Sequence, residues 1–196
     1  MDDDLRLLDR WCAGDKSAGN DLFTRHFPSI YRFFEHKTDG EIDDLVQETF
    51  LQCVKGRDTF RRQSSFRTYL FAIARHVLLC HWRKRTRGDV PVDFEEISIA
   101  SLSTSVVTRL ARHEDRARLL AALRDLPVDQ QMMLEMFYWE GFDRDQLAEV
   151  FEVEVATVGS RLSRTRERLH QKIDSATTPA LDDGFDEWVR SLKNRG

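Results

Sequence analysis

Little in this chain breaks a helix or staples a loop. It holds nine glycines and four prolines in 196 residues, and runs of Val, Ile and Thr alternating at period two are almost missing. The segments between breakers are therefore long and read as helix, not strand. Three cysteines, Cys12, Cys53 and Cys80, are too few and too widely spaced for a disulfide framework. None stands in a CxxC or CxxH pair, so no metal site is expected and the three read as buried thiols. No stretch approaches the run of about 20 apolar residues that a bilayer crossing needs. Met1 to Asp4 is acidic where a secretory signal is basic, so a cytoplasmic location without membrane insertion is expected. A phosphate-cradling glycine loop, a metal-ligand cluster and a nucleophile motif are also missing, and the six histidines are scattered. Neither catalysis nor a cofactor is expected.

What is present is a core-forming, water-soluble composition, 41% hydrophobic and 33% charged, enough for one ordinary domain or two small ones. The net charge of -4 conceals a segregation of sign. From Lys55 to Arg87 ten basic residues face one acid, Asp58, and a second cluster, Arg161, Arg164, Arg166, Arg168 and Lys172, faces only Glu167. The acids gather at Asp2–Asp4, Glu41–Asp44, Asp89–Glu96 and Asp182–Glu187. Two separate cationic surfaces on an anionic chain suggest two contacts with one polyanion.

Helical spacing organises both halves. Phe23, Phe27, Ile30 and Phe34 share one face, which reads as core. After a break at 38–40, Asp43 or Asp44 can cap a helix to about Val54, whose inner face carries Ile42, Val46, Phe50 and Cys53. A third helix opens near Ser65 with Phe66, Leu70, Ile73 and Val77 inward, closing a bundle over about residues 5–87. Residues 88–113 lose the periodicity and read as a flexible acidic linker, although Val90, Val92, Phe94, Ile97 and Ile99 suit an extended segment lying on a surface. Patterning resumes at Glu114. A helix with Met132, Met133, Met136 and Phe137 ends near Gly141, the next opens on the capping-box pair Asp143 and Gln146, and a last long helix buries Val158, Leu162, Leu169 and Ile173. Two helices joined by a tight turn, the second basic outside, form a helix-turn-helix pattern. The fold class is all-α, with two small helical domains, a linker and a short C-terminal helical extension.

Three surfaces stand out. On the last long helix Thr157, Ser160, Arg161, Arg164 and Arg168 form one polar face opposite the core, suited to a DNA major groove or to solvent alone. On the second helix Asp44, Gln47, Glu48, Leu51 and Lys55 share a stripe away from the core; taken by itself it is an ordinary solvated face. The loop from Gly56 to Ser65 holds Phe60 among Arg57, Arg61, Arg62 and Ser64, and the following helix bears Arg67, Tyr69, Phe71, Arg75, Trp82 and Arg83. Arginines among aromatic rings suit single-stranded nucleic acid and a base drawn out of its stack. Phe66, Tyr69, Phe71 and Trp82 are equally open to a core role.

Together these residues resemble the extracytoplasmic-function sigma factors of bacterial RNA polymerase, in the sigma-70 family. The segments DDLVQETF (43–50), SFRTYLFAIAR (65–75) and HWRKR (81–85) are similar to conserved region two. LRDLP (123–127), YWEGF (138–142), QLAEVF (146–151) and TVGSRLSRTR (157–166) are similar to region four. The likeness spans roughly residues 5–87 and 114–173. It implies region two over 1–87, a linker over 88–113, region four over 114–173 and an extension over 174–196. It also implies a specificity subunit without chemistry of its own. Asp44, Gln47, Glu48 and Leu51 would then meet the clamp helices of the polymerase core, which overrides the solvated-face reading. Arg57, Phe60, Arg61, Arg62, Ser64, Arg67, Arg75, Trp82 and Arg83 would engage the melted minus-ten element as single strands. Thr157, Ser160, Arg161, Arg164 and Arg168 would read the minus-thirty-five element as duplex while region four also docks on the polymerase flap. An anti-sigma factor is a possible further partner. The linker acids Asp89, Asp93, Glu95 and Glu96 would thread toward the active-site cleft, mimicking nucleic acid.

Three positions depart from the family pattern: Glu152 and Glu154 flank the turn where glycine and a small cap are usual, and Gly159 replaces a common lysine. Carboxylates near phosphates and a missing cation predict weak DNA binding by region four in isolation. Beyond Ile173, Phe185, Trp188, Val189 and Leu192 form an apolar stripe on a helix too short to stand alone in water, so it either docks on the protein or on a regulator and tunes activity, or forms a disordered or purely structural tail. The rival reading is a helix-turn-helix regulator that binds duplex DNA without belonging to the polymerase, which leaves the basic and aromatic first half unexplained.

Overall fold

A computed structural model describes residues 3–35, 37–38, 40–86, 93–99, 114–173, 186–187 and 189–190. It divides into two compact units, one built on Met1–Arg87 with Glu149–Glu152 and one on Gly88–Ala148 and Val153–Gly196. The described residues contain helices and no strand; eight α-helices carry the fold.

The first unit is a bundle of four helices: α1 (Asp3–Cys12), α2 (Lys16–Phe34), α3 (Ile42–Gly56) and α4 (Phe66–Arg85). Helical spacing places three of these, and α1 makes the bundle the four-helix form of the three- or four-helix bundle expected. It belongs to the bundle because Leu7, Leu8 and Trp11 are buried and because Asp4 anchors it, accepting from Arg25 and meeting His26 Nε2 at 2.7 Å. The turn into α2 is capped by Asp15, whose carboxylate accepts from Ser17 N at 3.0 Å and Ala18 N at 3.3 Å. Bonds from the Ser17 hydroxyl and from Arg10 hold this carboxyl down at about 2. Helix α4 starts on Ser65, whose hydroxyl accepts from Thr68 N at 3.0 Å. The start of α3 falls instead at Glu41, with no side-chain cap, so neither Asp43 nor Asp44 plays the expected role.

The core of this unit contains Leu22, Ile30, Phe34, Val46, Phe66, Leu70, Phe71, Leu78 and Trp82. Two core assignments change. Phe27 is 46% exposed, and only Cys53 among the thiols is buried, its pKa pushed up to about 12 by that burial, whereas Cys12 and Cys80 are half-buried.

The second unit comprises α5 (Glu114–Arg124), α6 (Val128–Tyr138), α7 (Arg144–Phe151) and α8 (Val155–Lys172). Leu119, Leu123, Met132, Met133, Met136, Leu147, Val158, Leu162 and Leu169 are buried, the faces that helical periodicity selected. Asp143 and Gln146 form the expected reciprocal cap, Gln146 N donating to Asp143 at 2.8 Å and Asp143 N to Gln146 at 3.0 Å. Between α7 and α8 the turn residue Glu152 adopts φ +55, the left-handed conformation that glycine takes without cost.

Two segments outside these helices are docked on the second unit. The sequence pattern makes Asp93–Ile99 part of a flexible linker, extended where it touches a surface. It is instead a tight turn with Phe94 and Ile99 buried. Asp129 N donates to Phe94 O at 3.1 Å and Val128 N to Ile97 O at 2.9 Å. The helix-start residue Pro127 offers α6 no side-chain cap, so these carbonyls satisfy its first amides. In the C-terminal extension Val189 is buried, Trp139 Nε1 donates to Val189 O at 3.2 Å, and Asp186 receives Tyr138 OH at 2.6 Å and pairs with Arg166 at 2.7 Å. Burial first, and the bond to Asp186 second, raise the pKa of Tyr138. The expected apolar contributions of Phe185, Trp188 and Leu192, like those of Val90 and Val92, lie outside the described residues.

Candidate protein and nucleic-acid interfaces

The α3 stripe faces outward. Asp44 and Gln47 are exposed, Glu48 is half-buried and accepts from Gln52 Nε2 at 3.0 Å, and Leu51 is 44% exposed. Leu51 sits in a groove between α2 and α3 with Phe23, Phe27, Val46, Phe50 and Val54. Phe50 anchors its floor, 4.6 Å from the ring of Phe23 and parallel to Phe27. The sequence reading missed Phe27 and Val54 as members of this surface. A helical stripe shows which residues share a face of one helix, but only the crossing of two helices decides which of them lie in the groove.

After α3 the chain makes one 3-10 turn, Arg57–Thr59, and then a loop that ends at Ser65. A Cβ at Gly56, at its start, would strike the Tyr69 hydroxyl, so a larger residue there has to displace that side chain. Phe60 stacks on Tyr69 with 4.4 Å between centroids and 25° between planes, which holds an aromatic face at the loop. Arg57 lies over the Trp11 ring at 5.0 Å, Arg61 is exposed and Ser64 is half-buried. Arg62 at the loop tip has φ +56, a conformation uncommon outside glycine, and its guanidinium meets Asp9 at 2.6 Å. On α4, Arg67 lies over Phe71 at 5.2 Å, Arg75 is half-buried and Arg83 is exposed in the last turn.

Trp82 does not belong with this set. It follows Phe71, Ala74 and Leu78 at helical spacing on the inward face of α4, and its side chain is fully buried. It serves the core and offers no face to DNA. Phe66 and Phe71 are buried likewise, which leaves Phe60 and the half-buried Tyr69 as the aromatic surface of the loop.

On α8 the predicted polar face is one continuous surface. Ser160, Arg164 and Arg168 are exposed and Thr157 and Arg161 half-buried. Ser160 Oγ donates to Thr157 O at 3.0 Å, Arg164 Nε to Ser160 O at 3.3 Å, and Arg168 Nη1 to Gln130 Oε1 at 3.0 Å. Arg161 is held by an acid from the docked segment, Glu95, at 2.7 Å. The sequence did not reveal this contact, because Glu95 and Arg161 are 66 positions apart.

Residues 22–88 match the family description Sigma-70 region 2, and residues 116–169 match Sigma-70 region 4. The chain thus belongs to the sigma-70 family. Within that family it is a sigma factor of the extracytoplasmic-function type. It is 26% identical over 179 residues to the ECF RNA polymerase sigma-E factor of Escherichia coli K12, covering 87% of this chain and 94% of that one. The Haemophilus influenzae protein of the same name is 27% identical over the same length, covering 87% and 95%. Its fold is similar to CnrH, solved in complex with the cytosolic domain of CnrY, with TM-score 0.66 and 20% identity over 90% of this chain and 100% of that one. It is also similar to the sigma factor RpoE of Bartonella quintana, solved with the anti-sigma factor NepR, with TM-score 0.61 and 22% identity over 78% and 94%. No described helix is long and apolar enough to cross a membrane.

Proposed function

We propose that the chain directs core RNA polymerase to promoters through three surfaces and opens the DNA by binding, with no catalytic group of its own. Residues 1–87 act as region two, 88–113 as linker, 114–173 as region four and 174–196 as an accessory extension. Asp44, Gln47, Glu48 and Leu51, joined by Phe27 and Val54, form the surface for the polymerase clamp. An apolar groove rimmed by acids and an amide suits a protein partner and repels nucleic acid. Arg57, Phe60, Arg61, Arg62, Ser64, Arg67, Arg75 and Arg83 take the unpaired minus-ten strand, with Phe60 on Tyr69 as the stacking platform. Thr157, Ser160, Arg161, Arg164 and Arg168 take the minus-thirty-five duplex, and region four also meets the polymerase flap. The work is done in the cytoplasm, where the polymerase is. An anti-sigma factor would compete for the α2–α3 groove.

The observation that carries this reading is the exposed Leu51 in an apolar groove on the same unit as a loop of arginines around a stacked aromatic pair. A free-standing duplex-DNA regulator has no use for either. The test is in vitro transcription with core polymerase on a promoter library, comparing the chain with its Gln47→Ala, Leu51→Ala double variant. We expect promoter-specific transcripts, and at least about a tenfold loss of core affinity in the variant, as for truncation at an interface hot spot. Unchanged affinity in the folded variant would move the polymerase surface elsewhere.

A further inference from the structure

Segment Asp93–Ile99 is fixed to the second unit by contacts of two kinds and shaped by one internal turn. Phe94 and Ile99 are buried, the carbonyls of Phe94 and Ile97 accept the first amides of α6, and Asp93 closes a turn by accepting from Glu95 N at 2.8 Å. The buried anchors and the helix-capping bonds account for the docking of the segment. The Glu95 carboxylate adds nothing to either, yet it is delivered onto Arg161 at 2.7 Å, with Glu95 56% exposed and Arg161 22% exposed. The concavity it borders is lined by Arg161, Arg164, Arg168, Thr165, Gln130 and Asp129. Glu95 therefore occupies the cation that lies mid-way along the polar face of α8. An ion pair this exposed is worth little to stability, so it is a poor stabiliser, but a carboxylate oxygen held there satisfies Arg161 as a phosphate oxygen would.

We infer that Glu95 is an internal competitor for DNA on α8, a side chain that must leave Arg161 before a phosphate or a base edge can take its place. This rests on the reading of α8 as the duplex-binding face. The segment itself stays docked through its buried anchors, and the carboxylate swings away, which its exposure permits. The chain thereby discounts binding of stray duplex by region four until other contacts, made with the polymerase and the minus-ten strand, hold α8 against DNA. The weak isolated binding expected from Glu152, Glu154 and Gly159 has in Glu95 a more direct cause, because its contact is with a reading residue itself.

The experiment measures fluorescence anisotropy of the full chain with a short labelled duplex of mixed sequence, over a series of salt concentrations. Glu95→Gln should bind about two- to fivefold tighter, the range expected when an exposed ion pair no longer has to be broken. Its affinity should also fall more steeply with salt, by up to one phosphate contact. Glu96→Gln, which removes an equal charge one position away, should give less than half that gain, and on an Arg161→Ala background Glu95→Gln should gain no more than Glu96→Gln does. Equal gains from Glu95→Gln and Glu96→Gln would overturn the inference, as would an advantage of Glu95→Gln over Glu96→Gln that survives Arg161→Ala. In either case Arg164→Ala, still weakening binding, would leave the reading of α8 intact. If Arg164→Ala has no effect, the reading of α8 fails and takes the inference with it.

Discussion

The two units present cations to nucleic acid in different ways. On the second, a helical period of 3.6 residues puts Thr157, Ser160, Arg161, Arg164 and Arg168 on one face of α8, and Glu95 and Gln130 only add restraints to Arg161 and Arg168. On the first, the arginines lie on an irregular loop, and other elements must hold them. Trp11 from α1 carries Arg57, Asp9 carries Arg62, and Tyr69 from α4 backs Phe60. A preformed regular face suits duplex DNA, which presents its own regular grooves. A loop assembled from tertiary contacts suits a single strand, whose bases have to be received one at a time. The left-handed backbone at Arg62 fits that division, since strain of this kind persists only where the surroundings enforce it.

The sharpest way to break the comparison is to confuse the core aromatics of the first unit with its loop aromatics. Trp82→Ala is expected to destabilise that unit by about 3–5 kcal/mol, the usual cost of truncating a buried Trp. Among the molecules that remain folded, the affinity of the complex with core polymerase for an unpaired minus-ten strand should be unchanged. Thermal denaturation and strand-binding titrations check the two halves of this statement. Loss of strand affinity without loss of stability would return Trp82 to the DNA surface.

A smaller effect separates the units by pH. Asp15 caps α2 with its carboxyl held at about 2, below the ordinary carboxylate range, so its contribution to the first unit is complete above pH 4 and is lost as pH falls toward 2. Tyr138 in the second unit has the opposite sign. Its pKa is raised above that of a free phenol side chain by burial first and by the bond to Asp186 second, so the protonated phenol favours the folded state. That contribution is complete below pH 10 and declines as pH rises further, through the raised value. Acid should therefore loosen the α1–α2 junction and alkali the docked C-terminal segment around Asp186, as read by amide hydrogen exchange at Ser17 and Ala18 and by Trp139 fluorescence. Asp15→Asn and Tyr138→Phe should each flatten their own side of the profile only.

Much of this was legible in the residue pattern, and the misses share a cause. Helical spacing located α2, α3, α4 and the whole helix-turn-helix, including the Asp143–Gln146 cap, because those features depend on neighbours within a few positions. Phe27 reads as core on its own helix and is exposed because of where α3 crosses α2. Trp82 beside a basic tail reads as a DNA contact and is buried because α4 turns that face inward. The contact of Glu95 with Arg161 and that of Asp186 with Tyr138 join segments far apart in the chain, and periodicity carries no record of either. The three surfaces were thus visible as sets of residues, while the groups that restrain them came only with the tertiary structure.

The central claim is that the first unit takes unpaired bases only when the chain is seated on core polymerase. Permanganate reactivity of thymines in the minus-ten element, on a promoter selected by this chain, tests it directly. The account predicts reactive thymines with core polymerase and chain together, none with either alone, and a marked loss when Phe60→Ala and Arg62→Ala are combined. Open DNA formed by the chain alone, or opening that is indifferent to the Phe60 and Arg62 substitutions, would contradict it.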